Sequence, residues 1–316
     1  SFGAKAQSLV LGPRSRMLIA AGNPEKCVSC AGPALDDILA RYQVVHVHQC
    51  LTAWGIFIAA RARLAGALVI GSDLGGGDVP DLVAYPVIAD VFDLFHALSD
   101  FATTAFLGLP VPCRVIAGPV DDSIFPLSLA PRDPAQLLSL GRILPHKGFE
   151  RAIAALPEGA RLTIVGHNYD DAYLAFLKER ARGRDVVFRT EASDADLKEI
   201  MRSASLLLHT GVHIGYQGMY YGKPELLSLA PLEAMATGMP AIVSQAGALP
   251  ELARLAGCRS FHDEAELAAM LRRHLAGELF TLAPAEIRAG VVAEYGLASF
   301  GRRYLHIIRD ALADRR

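Results

Sequence analysis

The sequence lacks any long, uninterrupted apolar run. A membrane-spanning helix needs roughly 18 consecutive apolar residues, and the richest window, residues 50–64, is interrupted by Arg61 and Arg63. It also lacks an excess of charge of either sign, since 31 basic residues stand against 33 acidic ones. Nothing in that balance indicates a nucleic-acid partner. We therefore expect neither a transmembrane segment nor binding to nucleic acid.

Cysteine is scarce, with five residues, an odd number, scattered over the chain. This usage is typical of a protein in a reducing cytoplasm. The close pair Cys27 and Cys30 has no second pair of ligands beside it, so we assign it no metal or redox role. The sequence thus predicts a cytoplasmic protein without a bound metal, and it leaves association with the inner face of a membrane open.

Apolar residues make up 52% of the chain, which suits large cores with buried parallel strands. A chain of 316 residues exceeds what one hydrophobic core usually supports, so we expect two domains. Short apolar runs alternate with segments of helical periodicity along the sequence. This alternation indicates an α/β protein with doubly wound parallel sheets, in which ligands bind beyond the carboxyl ends of the strands.

The first half of the chain carries one set of alternating elements. Its opening segment, Ala4 to Leu11, has an apolar face at helical spacing and is predicted to be a helix. The remaining predictions are strands at residues 17–21, 43–48, 67–71, 94–98 and 114–117, and helices at 33–42 and 50–64. These residues belong to a predicted first domain, 1–125, which a carboxyl-terminal helix at about 298–316 completes.

Two features lie at the predicted carboxyl edge of these strands. His48 ends a buried strand, where a histidine is more often a core residue with a satisfied ring than a ligand-binding one. His46 shares that strand and is interpreted as structural. Gly75 and Gly76 lie in the loop after the next strand. This loop is either a plain turn or part of the lining of a ligand site.

A second set of elements follows the Pro-rich residues 126–134, which we interpret as a linker. The predicted second domain spans residues 135–297. Two such sheets facing each other would form a cleft, the usual place for a ligand. The predicted strands of this set are residues 137–140, 162–165, 185–188, 206–209 and 241–244.

The stretch from Pro224 to Gly238 places two carboxylates, Glu225 and Glu233, with seven residues between them. Pro231 is tolerated only in a first helical turn, and Gly238 stops a helix, so we predict a loop that leads into a short helix. The amides that open such a helix form a seat for phosphate. Glu233, placed near the helix start, has a plainer interpretation as a complement to the helix dipole.

A second group of charges follows the first strand of the second set, in residues 141–148. Arg142 can donate two parallel hydrogen bonds to a phosphate, and Lys147 adds a point charge. An exposed arginine or lysine taken singly is usually only solvated. Arg142 and Lys147 occur together, in the same half of the chain as the glutamate pair. This combination is more specific evidence for a ligand site than either residue alone.

These motifs together resemble the signature of the retaining nucleotide-sugar glycosyltransferases of family 4, which have the GT-B fold. The glutamate pair, the Ala-Met-Ala that follows Glu233 and the Gly-x-Pro at 238–240 match the signature. Leu226 and Ser228 depart from it, because the family often has glycine there. The segment Gly-Arg, four residues, Lys-Gly and the pair His46 and His48 are also similar to family motifs, so the resemblance covers nearly the whole chain.

The resemblance implies transfer of a sugar from a nucleoside-diphosphate sugar to a sugar, lipid-linked or small-molecule acceptor. It implies retention of anomeric configuration and no metal or cofactor. The catalytic residues it implies are Glu225 and His48, and Glu233 would bind the donor ribose. The donor diphosphate would be bound by Arg142, Lys147, Ser228 and Leu229, and the acceptor-side loops would contain Gly3, Gly75 and Gly76.

Some features stay open. A GT-B amino-terminal domain normally opens with a strand and a Gly-rich loop, so we expect that strand upstream of Ser1, with Gly3 ending the loop. Residues 211–223 are longer and more aromatic than the family loop, either an acceptor-specific insert or a packed surface loop, and we favour the second. The alternatives to a transferase are a GT-B epimerase or phosphorylase and a catalytically impaired nucleotide-sugar-binding protein.

Overall fold

The computed structural model describes residues 7–12, 15–20, 33–75 and 86–315. The chain divides into two compact α/β units. Unit 1 runs to Ala117 and takes in the chain again from Gly301, and unit 2 is Gly118–Phe300. Each unit contains one six-stranded sheet. The predicted fold class, with two Rossmann-like sheets, is confirmed.

The sheet of unit 1 is parallel except at one edge. Its strands are β1 (Gln7–Gly12), β2 (Ser15–Ala20), β3 (Val44–His48), β4 (Leu68–Ser72), β5 (Leu94–Ala97) and β6 (Cys113–Val115), paired in that order. Neighbours from β2 to β6 are parallel. The strands β3 and β4 are buried almost throughout, which explains why valine, leucine and isoleucine make up most of their residues.

The predicted helix at Ala4 to Leu11 is wrong, because Gln7–Gly12 is the antiparallel strand β1. Its register pairs Gln7 with Ile19 and Val10 with Arg16. The backbone groups of this segment are thus satisfied by the next strand, a partner that the apolar spacing of one segment does not show. The expectation of a strand upstream of Ser1 was based on that helix, and Gly3 lies outside the described residues.

The helices lie between the parallel strands and after the last of them. They are α1 (Pro33–Leu39), α2 (Ala53–Leu64), α3 (Phe149–Ala155), α4 (Asp171–Arg180), α5 (Asp194–Ser203), α6 (Leu229–Ala236), α7 (Glu264–Leu275), α8 (Pro284–Tyr295) and α9 (Leu297–Asp314). Short 3-10 turns occupy Pro86–Val91, Phe101–Phe106, Pro145–Lys147 and Leu249–Arg254. Within the part of the chain that the structure describes, no helix combines the length and apolarity needed to cross a membrane.

The sheet of unit 2 is entirely parallel. Its strands are β7 (Gln136–Leu140), β8 (Arg161–Val165), β9 (Val186–Arg189), β10 (Leu206–His209), β11 (Ala241–Val243) and β12 (Cys258–Ser260). Their order is β12-β11-β10-β7-β8-β9. The chain therefore starts in the centre, runs outward to β9, and returns to build the other half from β10. The point between β7 and β10, where the direction reverses, is where parallel α/β sheets bind ligands.

Candidate functional site

The predicted loop and helix after β10 are confirmed. Helix α6 begins at Leu229 with Ser228 as its N-cap, and Pro231 lies in the first turn. Gly238 adopts a φ of +82°, a left-handed conformation that ends the helix. Ser228 Oγ lies 3.0 Å from Nε2 of His209, the last residue of β10, so α6 starts near the carboxyl end of that strand. The first amides of a helix have no intrahelical partners.

Glu225 lies in the loop before α6 and is buried, with 6% of the residue exposed. Its Oε1 accepts a hydrogen bond from Lys147 Nζ at 2.5 Å and another from His209 Nε2 at 2.9 Å. Burial alone raises the pKa of this carboxyl group, but His209 and Lys147 outweigh it and lower the pKa to about 2. Glu225 is therefore ionised, with both donors directed at one oxygen.

His209, the last residue of β10, was not predicted as a site residue. Its Nε2 also lies 3.0 Å from Ser228 Oγ, and its side chain is buried. Because an ionised carboxylate can only accept, the nitrogen that faces Glu225 must carry the proton. The sequence does contain one signal for His209, since it is a polar side chain at the carboxyl end of a predicted central strand. His209 therefore connects the end of β10 to both Glu225 and the start of α6.

Lys147 and Arg142 both follow β7, but they have different surroundings. Lys147 is mostly buried beside Glu225, 78 residues away in sequence. The next residue, Gly148, has a φ of +59°, and a Cβ there would lie 2.3 Å from the Thr210 carbonyl oxygen. Arg142 is exposed, with its guanidinium carbon 6.0 Å from the centroid of the Tyr169 ring. The loop is thus held close to β10, while Arg142 extends into solvent.

Glu233 was predicted near the helix start. It is the fifth residue of α6 and so lies in the second turn. The first turn of α6 contains no acidic residue, so Glu233 does not complement the dipole there. Burial raises the pKa of its carboxyl group. Within the described residues the carboxylate has no ion-pair partner.

Ser228 and Leu229 lie at the start of α6. The Ser228 hydroxyl bonds to His209 rather than capping the helix, and the Leu229 side chain is exposed. The backbone before them is fixed by residues 247–248, because Ala248 donates its amide to the Glu225 carbonyl at 2.9 Å. Gly247 has a φ of +56°, and a Cβ there would lie 2.3 Å from the same carbonyl oxygen.

The loop at residues 211–223 is packed onto unit 2. A β-bridge joins Ile214 to Tyr220, and the Tyr216 ring stacks on Phe176 at 4.4 Å between centroids. His213 donates from Nδ1 to the Tyr221 carbonyl and accepts the amide of Gly247 at Nε2. The loop is therefore packed against unit 2, and its role as a surface loop stays a prediction.

His48 ends β3 in unit 1, as predicted. Its ring packs on that of His46 with centroids 4.4 Å apart. Burial, and then the nearby His96, lower the pKa of His48 to about 4. Its Nε2 is buried and has no hydrogen-bond partner among the described residues. His46 bonds to Ser72 and Tyr304, in agreement with a structural role.

The acceptor-side glycines are described only in part. Gly75 has a φ of +86° and donates its amide to Asp73 Oδ1 at 2.9 Å. Gly3 and Gly76 lie outside the described residues, as do Cys27 and Cys30. The residues that the structure describes contain no group of three or more metal-ligating side chains.

One family model matches this chain. The sequence model of the family described as Glycosyl transferases group 1 matches residues 121–278, which is 158 of the 316 residues. A comparison with curated protein sequences gave no match.

Solved structures give the same fold. HepE of Anabaena, solved in complex with UDP, is 16% identical, with a TM-score of 0.70 over 90% of this chain and 84% of that chain. AviGT4, a glycosyltransferase of avilamycin A biosynthesis, is 22% identical, with a TM-score of 0.66 over 89% and 78%. Sucrose-phosphate synthase from Thermosynechococcus elongatus is 16% identical, with a TM-score of 0.68 over 97% and 86%. The fold shared with these proteins is GT-B.

Proposed function

Because the chain belongs to the glycosyl transferases group 1 family, we propose that it transfers a sugar from a nucleoside-diphosphate sugar to an acceptor. We further propose that the transfer is metal-independent and retains anomeric configuration, as in family 4. The observation that carries the proposal is Glu225, an ionised buried carboxylate joined to Lys147 and His209 beside the start of α6. HepE, which has the same fold, binds UDP and UDP-glucose, and this supports a nucleoside-diphosphate donor.

The proposed diphosphate site consists of positive groups at the switch point of unit 2. Arg142 has no carboxylate partner among the described residues, and its planar guanidinium suits two parallel bonds to a phosphate. Lys147 has three donors, so it can bond a phosphate and Glu225 together. The amides of Ser228 and Leu229 add the positive end of α6. These donors would stabilise the negative charge that develops on the departing diphosphate.

The proposed contact of Glu225 with the donor sugar uses the carboxylate oxygen that has no hydrogen bond to Lys147 or His209. Since Oε1 already accepts from Lys147 and His209, Oε2 is the oxygen left to accept from hydroxyls of the donor sugar. Glu233, whose carboxyl group lies farther along α6, would accept from the ribose hydroxyls. His48 would contact the transferred sugar, as the resemblance to family 4 implies.

In the proposed reaction, the bond between the anomeric carbon and the diphosphate oxygen breaks while the acceptor oxygen bonds to the same face of that carbon. The acceptor's proton passes to the leaving phosphate. The acceptor can be a sugar, a lipid-linked molecule or another small molecule. Neither Glu225 nor Glu233 faces a partner acid among the described residues, so a two-carboxylate glycosidase mechanism is not favoured.

Calorimetric titration tests the donor site. We expect one of UDP, GDP and ADP to bind the purified chain without metal, and we expect Arg142→Ala and Glu233→Ala each to weaken it. The loss of a charge-assisted bond costs about 1.5 to 3 kcal/mol, or roughly 10- to 150-fold in Kd. Arg182→Ala is the control, because this exposed arginine lies just after the end of α4 and pairs with Glu179, three residues before it. A folded chain that binds none of the three nucleotides would rule out the proposal.

A further inference from the structure

A buried line of hydrogen bonds in unit 1 begins on the last helix. The Tyr304 hydroxyl of α9 bonds to His46 Nδ1, and His46 Nε2 lies 2.7 Å from Ser72 Oγ. Ser72 Oγ lies 2.9 Å from His96 Nδ1, and His96 Nε2 lies 2.8 Å from the Ile116 carbonyl oxygen. The line therefore links α9 to β3, β4 and β5 through side chains alone.

The Ile116 carbonyl fixes the direction of every bond in the line. Burial lowers the pKa of His46 and of His96, so both rings are neutral and each has one donor and one acceptor nitrogen. A carbonyl can only accept, so His96 donates from Nε2 and accepts at Nδ1. Ser72 then donates to His96 and accepts from His46 Nε2. His46 Nδ1 is thus an acceptor, and Tyr304 is its donor.

His48 is held by packing against this line. The His48 ring lies on one side of His46, with 42° between the ring planes. The ring of Tyr304 stacks on His46 at 5.6 Å between centroids. Because Nε2 of His48 has no hydrogen-bond partner among the described residues, its orientation depends on the ring beneath it.

We infer that Tyr304 is a positioning residue for His48. Its hydroxyl donates to His46 Nδ1 and fixes the orientation of the His46 ring, and His46 fixes the ring of His48 at the carboxyl end of β3. This inference rests on the proposed function, in which His48 contacts the transferred sugar. Misplacement of a catalytic group by 1 Å can cost about 100-fold in rate, so the position of this ring matters for transfer.

The test is Tyr304→Phe in the full chain. The substitution keeps the aromatic ring over His46 and removes only the hydroxyl. The matched control is Tyr295→Phe, since Tyr295 is also buried and its hydroxyl accepts a bond from Arg254 at 2.8 Å in unit 2. Tryptophan fluorescence checks folding of unit 1, because Trp54, the only tryptophan, lies in α2.

The first readout is the set of imidazole ¹⁵N signals in NMR, with His48 assigned through His48→Asn. We expect the His46 and His48 signals to shift in Tyr304→Phe and to stay in place in Tyr295→Phe. Identical His48 signals in the wild type and Tyr304→Phe would overturn the inference. This readout needs no turnover, so it decides the inference even if the proposed transfer reaction is not found.

The second readout is catalysis, measured with whichever of UDP-glucose, GDP-mannose and ADP-glucose the wild type consumes. We expect kcat to fall roughly 10- to 100-fold in Tyr304→Phe, with Kd for the nucleotide within about twofold, because the nucleotide is held by unit 2. An unchanged kcat would overturn the inference. If Tyr304→Phe fails to fold, Ser72→Ala breaks the same line two bonds away and takes its place in both readouts.

Discussion

Glu225 shows how a single residue can be both buried and ionised. Its two donors come from distant parts of unit 2, the turn after β7 and the end of β10, and both reach the same oxygen. A buried carboxylate that lost one donor would bear an uncompensated cost of about 1 to 3 kcal/mol or more. His209 is therefore as important to the state of Glu225 as Lys147 is.

This dependence predicts the effect of His209→Ala. We expect kcat/KM to fall about 10- to 150-fold, because a hydrogen bond to a charged group contributes about 1.5 to 3 kcal/mol. His209→Gln, which keeps an N–H donor, should lose less. The control is His274→Ala, since His274 also bonds a serine hydroxyl, that of Ser205, but lies on α7. Equal losses in His209→Ala and His274→Ala would contradict the prediction.

At the scale of residues, sequence motifs predicted the members of the site better than their contacts. Glu225 and Lys147 were singled out separately, and the structure brings them together. His209 was missed, because its importance comes from a pairing across β10 and the α6 loop that spacing in sequence does not reveal. Glu233 was placed one turn too early, since the exact first residue of a helix is poorly fixed by its sequence.

At the scale of elements, Gly247 holds the loop of Glu225 in place. We expect Gly247→Ala to lower stability by about 1 to 3 kcal/mol, because the residue has a positive φ and the new methyl group would clash with the Glu225 carbonyl. Chemical denaturation measures the change. Gly183→Ala is the control, because its φ of +77° imposes a similar backbone cost while a Cβ there meets nothing within 4 Å.

The comparison separates clash from backbone strain. Gly247→Ala should lose more stability than Gly183→Ala. Of these two variants, Gly247→Ala alone should reduce activity, because a Cβ at Gly247 meets Glu225 and a Cβ at Gly183 meets nothing within 4 Å. If the two substitutions have the same effect on both measurements, the close approach has no functional importance.

Most elements were predictable because buried parallel strands and amphipathic helices leave clear periodicities. Five of the six strands of unit 2 were predicted, while β12 was missed because Cys258–Ser260 is short and carries an exposed arginine. The error at Gln7–Gly12 has a different cause. A six-residue segment is too short to separate the two periods, and its strand is defined by an antiparallel partner.

At the scale of the whole molecule, we expect unit 1 to unfold before unit 2 as the pH is lowered. The pKa values of His46, His48 and His96 are lowered by burial, so the unfolded chain binds protons that the folded unit 1 does not. Stability of unit 1 should therefore fall as pH drops below about 6.5. In unit 2, burial also lowers the pKa of His146 and His274, so unit 2 loses some stability over the same range. Glu225, with a pKa of about 2, stabilises unit 2 above about 4.5 and loses that effect only between about 4.5 and 2.

Two signals follow this order of unfolding. Trp54 stacks on Phe57 in unit 1 at 5.1 Å, so its fluorescence reports unit 1 alone, while far-UV circular dichroism reports both units. We expect the fluorescence change to come first as pH falls. His46→Asn should move the fluorescence transition and leave the later dichroism change in place. Coincident transitions in the wild type would contradict the prediction.

Unit 1 is completed by residues from Gly301 onward, after all of unit 2 has passed. A ribosome adds about 5 to 20 residues per second, so the segment with His46 waits roughly ten seconds or more for Tyr304 to be made. Unit 2, which is continuous in sequence, can fold during that interval. A chain that stops before Tyr304 would hold a complete unit 2 and an incomplete unit 1, and we expect proteases to cleave the incomplete unit first.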